Sequence, residues 1–146
     1  MDSTYHITLE AEPKANDMNA IMQGLLSFNK LHTGGDAPQY LVITVRDGDE
    51  AVVGGMVGAT YLDWLNVHAL WVSEELRGRG YGSDLLAAAE EEAVRRGCAN
   101  AFLETLSFQA LPFYEKRGYV VFCTLPDFPP GGAKYSLSKS LRAKES

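Results

Sequence analysis

The chain has 146 residues, 46% of them hydrophobic, and a formal net charge of −6. This suits a single domain over residues 1–146 that buries roughly two-thirds of its unfolded surface without disulfides or a structural metal. The acidic balance argues against a general nucleic-acid binder, which needs a basic face. No apolar run reaches the ~20 residues that span a bilayer, and Met1 to His6 shows no signal peptide, so a soluble cytoplasmic protein is expected. Cys98 and Cys123 form no CxxC pair or Cys/His cluster. No metal site is expected, and both are read as small buried residues.

In chain order, Tyr5 to Glu10 alternates apolar and polar residues, which predicts a half-buried strand. Pro13 and Asn16-Asp17 offer a helix start. Met18, Ile21, Met22, Leu25, Leu26, Phe28 and Leu31 follow at helical spacing as a core-facing row, and Gly34-Gly35 ends it. Tyr40 to Val45 and Ala51 to Leu62 read as an antiparallel hairpin about the turn Asp47-Gly48-Asp49. Leu65 to Val72 is a further strand. Gly82 to Arg96 is a helix: Leu85, Leu86, Ala89 and Ala93 make its apolar face, Glu91/Arg95 and Glu92/Arg96 pair at four-residue spacing, and Gly97 caps it. Ala101 to Thr105 is a short buried strand, and Pro112 to Arg117 a short helix stopped by Gly118. Tyr119 to Thr124 and Tyr135 to Leu141 are strands on either side of the loop Pro126 to Gly132. The order gives a mixed α/β sheet with helices packed on it, and places a ligand at the central strand, glycine-rich turn and helix.

That turn is Arg77-Gly78-Arg79-Gly80-Tyr81-Gly82. Glycines let the backbone approach a ligand closely. The first amides of the following helix lack internal partners, and with the helix dipole they favour an anion. Arg77 and Arg79 add charge suited to phosphate. A Walker loop would need Gly-Lys-Ser/Thr, and the chain has Gly82-Ser83-Asp84; a dinucleotide fingerprint would need glycine where Ser83 or Leu85 stands. The alternative is a purely structural turn.

Arg-x-x-Gly-x-Gly, met by Arg77, Gly80 and Gly82, resembles the acetyl-CoA pyrophosphate motif of the GNAT N-acetyltransferase superfamily. Leu70-Trp71-Val72 is similar to that family's Leu-x-Val strand end. Ala110, Phe113-Tyr114 and Arg117-Gly118-Tyr119 are similar to its second motif. The resemblance is most specific from Leu65 to Phe122. It implies a mixed, mostly antiparallel central sheet of about seven strands, splayed at a bulge and flanked by helices. Pantetheine would insert at the splay against the main chain of Leu70 and Val72, with Trp71 between them. The amides of Gly78, Arg79, Gly80, Tyr81, Gly82 and Ser83 would take the pyrophosphate. Ser107 stands where the family often has asparagine, three residues before Ala110, and a hydroxyl there still reaches pantetheine.

The implied activity is transfer of the acetyl group of acetyl-CoA to a primary amine by direct attack in a ternary complex, with no metal. Tyr114 sits where the family places its general acid, the alternative being an aromatic packed on the sheet. For the base, His68 shares strand parity with Leu70 and Val72 and should point to the same side. Glu104 on the next strand is a second candidate, and Asn66 cannot serve. His6 and His32 are read as surface residues. Aromatic candidates for the acceptor pocket are Phe28, Tyr40, Trp64 and Phe128, with Asp63 available to a cationic amine. The expected acceptor is a small-molecule amine. A protein N-terminus or lysine, and a non-catalytic acyl-CoA sensor, are the alternatives. Relatives are often dimers, which leaves a homodimer open; neither a nucleic-acid nor a membrane partner is expected.

Overall fold

The structure, a computed structural model, describes residues 4–142 and divides into two compact units, Met1–Ala37 and Pro38–Ser146. The first holds one helix, α1 (Ala15–Thr33). It ends as the sequence predicts: Gly34 takes the left-handed conformation at φ 69° and donates its N–H to the Lys30 carbonyl. Two expectations fail in this unit. Tyr5 to Glu10 forms no strand: alternation selects a face, but a strand also needs a neighbour to complete its ladder, and here Ile7 and Leu9 are fully exposed. The row Met18, Ile21, Met22, Leu25 and Phe28, predicted as a core face, buries none of its residues.

Among the described residues the second unit has a six-stranded sheet, two α-helices and a short 3-10 helix, Glu74–Leu76. Its strands are β1 (Gln39–Arg46), β2 (Val52–Tyr61), β3 (Trp64–Val72), β4 (Asn100–Leu106), β5 (Val120–Pro126) and β6 (Ala133–Ser140), in the order β1-β2-β3-β4-β6-β5. Only β3 and β4 run parallel. Among the described residues the sheet has six strands where about seven were expected, because Tyr5–Glu10 forms no strand. At the β1–β2 turn the Asp47 carboxylate accepts the amides of Asp49 and Ala51, which fixes the predicted hairpin.

Helix α2 (Tyr81–Arg95) follows β3, and α3 (Leu111–Lys116) follows β4. α2 buries the four predicted residues Leu85, Leu86, Ala89 and Ala93. Leu86, Ala89 and Ala93 join Met56, Leu65, Leu103, Tyr119 and Leu137 in the core. Each fully buried leucine there stabilises the fold by about 1.5–3 kcal/mol. The charge pairing differs from expectation: Arg95 bonds Glu92, one turn back, rather than Glu91. Arg95 and Arg96 together hold the Glu92 carboxyl down at about 2. Arg96 also reaches the carbonyls of Gln39 and Tyr40 and the Thr60 hydroxyl, tying the end of α2 to β1 and β2. Glu90, midway along α2, accepts bonds from the Tyr119 hydroxyl and Lys139. Cys98 is buried as expected, whereas Cys123 is exposed on the edge strand β5.

Candidate active site

The parallel ladder between β3 and β4 is short. It runs from Trp64 opposite Asn100 to Val67 opposite Leu103 and stops. Both strands continue, β3 against β2 as far as Val72 and β4 against β6 as far as Leu106, so they diverge. The cause is a bulge. Val57 pairs with Ala69 and Gly58 with Val67, which leaves His68 as the extra residue, and an extra residue bends its strand. Beyond it the Ser73 amide bonds the Val53 carbonyl on β2. Main-chain groups alternate sides along a strand. Trp71 therefore turns to β2 as well, while Leu70 and Val72 offer theirs to the gap. The gap is a cavity of about 210 Å³, bordered by His68, Leu70, Glu104, Thr105, Gln109 and Tyr114 among others.

The glycine turn lies just past β3. Arg77 is drawn back to the strand, its Nε 3.4 Å from the Val72 carbonyl. Gly78 and Gly80 have φ 74° and 88° and nothing within 4 Å of where a Cβ would stand. From Gly78 to Ser83 no amide finds a backbone acceptor among the described residues; the first bond of α2 runs from the Asp84 amide to the Gly80 carbonyl. Gly82 packs against the Phe113 ring, 3.4 Å from its own notional Cβ. A row of open amides at a helix N-terminus, with Arg77 and Arg79 exposed beside it, is an anion cradle. It fits a diphosphate.

Tyr114 stands on the opposite wall of the gap, only 8% exposed. Its ring meets Phe113 and Tyr119 edge-on at 5.1 and 6.0 Å. Burial pushes its phenol above the usual tyrosine range. The turn into α3 is locked by Gln109, whose amide oxygen accepts the Leu106 N–H at 2.7 Å, and by Thr105, whose hydroxyl accepts the Ala110 N–H. Ser107 exchanges two bonds with Ala133, one from its own amide and one into its hydroxyl oxygen. Glu104 pairs with Lys134 at 3.0 Å, and Lys134 in turn lies 4.7 Å above the Phe128 ring.

Residues 3–119 match the model of the acetyltransferase (GNAT) family. The chain belongs to this family. It is an acetyl-CoA-dependent acetyltransferase. Among relatives, it is 40% identical over 112 residues to an acetyltransferase of Agrobacterium fabrum, covering 77% of this chain and 82% of that one. It is 43% identical over 91 residues to a blasticidin-S acetyltransferase of Streptomyces morookaense, covering 62% and 67%. Among solved structures, an acetyltransferase from Agrobacterium tumefaciens superposes with a TM-score of 0.87 at 36% identity, over 93% of this chain and 99% of that one. One from Bacillus cereus gives 0.77 at 28%, over 93% and 97%.

In this GNAT chain the predicted site residues divide into groups. Leu70, His68, Tyr114 and Glu104 come together around the gap, with Val72 at the end of β3 and Arg77 to Ser83 beyond it. Trp71 turns an exposed side chain away. The expected parity of His68 with Leu70 and Val72 is broken by the bulge. His68 lines, with Tyr40, Tyr61, Trp64, Asn66 and Phe102, a second cavity of about 240 Å³. It borders the first cavity too. Asp63 sits in the β2–β3 turn with φ 75°, at the far end of β3 from the gap. Phe28 stacks on His32 within α1, and Phe128 belongs to the loop under Lys134. Sequence reasoning missed Thr105 and Gln109. The only signal for them was their place just before the second motif. It also missed Tyr61 and Phe102, whose alternation with buried neighbours marked the face they share with Trp64.

Proposed function

We propose that the chain acetylates a primary amine of a small molecule by direct attack within a ternary complex. The observation that carries this is the divergence of β3 and β4 directly after the His68 bulge, with Tyr114 on one side and the main chains of Leu70 and Val72 on the other. Acetyl-CoA supplies an acyl carbon activated as a thioester. The amides from Gly78 to Ser83, with Arg77 and Arg79, hold its diphosphate. The inward main-chain groups of Leu70 and Val72 hold the pantetheine arm like an added strand. The Leu70 amide faces the charge that develops on the thioester oxygen.

Amine nitrogen bonds to the acyl carbon and the carbon–sulfur bond breaks. One proton leaves the nitrogen and one reaches the sulfur. Tyr114 delivers the second. Burial keeps its phenol protonated, so the proton is present when the sulfur leaves. His68, bordering both cavities, receives the first. Glu104 reaches the same gap, but its carboxylate is held by Lys134 at 3.0 Å, which leaves it a supporting role. The blasticidin-S relative supports a small-molecule acceptor.

The test is release of free thiol from acetyl-CoA across a panel of amines, amino acids and peptides. Tyr114→Phe is expected to lower kcat about 10²-fold with acetyl-CoA affinity within about twofold of wild type. Full turnover by the variant would remove Tyr114 from the chemistry.

A further inference from the structure

The second cavity carries information about the acceptor. Four of its walls are aromatic: Tyr40, Tyr61, Trp64 and Phe102. Trp64 and Phe102 meet edge-on, centroids 5.7 Å apart at 72°, so one presents a face where the other presents an edge. Besides the Tyr40 and Tyr61 hydroxyls, the polar groups are Asn66 and His68, and among the described residues neither a carboxylate nor a lysine or arginine lines the cavity. Its volume, about 240 Å³, falls below the roughly 300–1,000 Å³ usual for drug-sized ligands. That volume suits one flat ring. His68 is the residue common to this cavity and to the gap between β3 and β4.

We infer that the acceptor is an amine carried on a planar aromatic or heteroaromatic ring, with the ring held between Tyr40, Trp64 and Phe102 and the nitrogen directed past His68 into the gap. This rests on the acetyl-transfer reading and adds the substrate class. Aromatic walls reward planar π-systems beyond simple apolar burial. A polycationic acceptor would bring several charges to a cavity with no carboxylate to pair them, which is unfavourable. Trp64 and Phe102 thus set specificity, and Asn66 is placed to bond a ring heteroatom or hydroxyl.

The experiment uses the full chain and three probes: 2-phenylethylamine, 2-cyclohexylethylamine and spermidine. The first two match in amine and carbon count and differ in planarity. Thiol release should give 2-phenylethylamine a kcat/KM about tenfold above the cyclohexyl amine, and spermidine lower still. Trp64→Leu and Phe102→Leu should remove that preference, chiefly through KM, while each variant still gains its full melting shift from acetyl-CoA. Equal or better use of the cyclohexyl amine or spermidine would overturn the ring assignment and leave the acetyl-transfer reading standing. If no amine releases thiol, that reading fails. The ring assignment is then decided by calorimetry of 2-phenylethylamine against the protein with coenzyme A present, where no saturable binding overturns it.

Discussion

Gly58→Ala tests the link between the bulge and the gap. Gly58 lies at the step where β2 changes register against β3, opposite Val67. A Cβ there would stand 2.5 Å from the Asn66 carbonyl oxygen and 3.2 Å from the Met56 Cε. Methionine can turn its methyl aside, but the carbonyl belongs to the neighbouring strand. To restore a contact of 3.0 Å the strands must part by about 0.5 Å, and forcing a methyl into such packing costs about 1–3 kcal/mol. For a chain of this length that lowers Tm by roughly 3–10 °C. The displacement falls on Asn66 to Leu70, the stretch that carries His68 and the inward Leu70 amide. Misplacing reacting groups by ~1 Å costs about 10²-fold, so a shift of half that size should lower kcat about tenfold. Thermal unfolding and thiol release at saturating acetyl-CoA measure the two effects. Gly48→Ala is the control, since nothing lies within 4 Å of its Cβ. The reasoning fails if Gly58→Ala melts and turns over like wild type, or if Gly48→Ala loses as much.

Two other perturbations follow from the same structure. Gly80→Glu puts a side chain on a residue at φ 88° and a negative charge into the anion cradle, so the rise in Tm that acetyl-CoA gives wild type should disappear; an unchanged rise would refute the cradle. At alkaline pH the protein should lose stability. Burial pushes the phenols of Tyr114 and Tyr119 up, and the Glu90 carboxylate pushes Tyr119 further. The unfolded chain therefore ionises first, and stability that is full below about pH 10 falls as pH rises, by at most about 1.4 kcal/mol per unit for each phenol. Denaturant titrations from pH 9 to 11.5 should show a shallower fall for Tyr119→Phe, and a slope unchanged by that substitution would contradict the assignment.

Sequence made the elements from Tyr40 onward legible because each carries its own punctuation: Asp47 in the first hairpin, Gly80 and Gly97 around α2, Gly118 after α3. The glycine turn before α2 was legible for the same reason, since positive φ at Gly78 and Gly80 is a local demand. Features that depend on a neighbour were not. Tyr5 to Glu10 has the alternation of a strand and no ladder. Arg95 has carboxylates at both three and four residues' distance, and rotamer packing settles on Glu92. Strand parity set His68 beside Leu70, and both border the gap, but its place in a second cavity as well follows from a bulge that depends on pairing with β2. The Glu104–Lys134 pair joins residues thirty apart and shows only once β4 and β6 are side by side.

The parallel seam of four residue pairs has a mechanical consequence. β1, β2 and β3 form one leaf and β4, β6 and β5 another, and beyond Val67 and Leu103 no rung joins them. α2 spans the break, fastened to the first leaf by Arg96 and to the second by Glu90. The two leaves are thus held to one another by four ladder pairs, by the apolar face of α2 packed on both, and by the bonds of Glu90 to Tyr119 and Lys139, so the wedge between them is built into the packing of one helix.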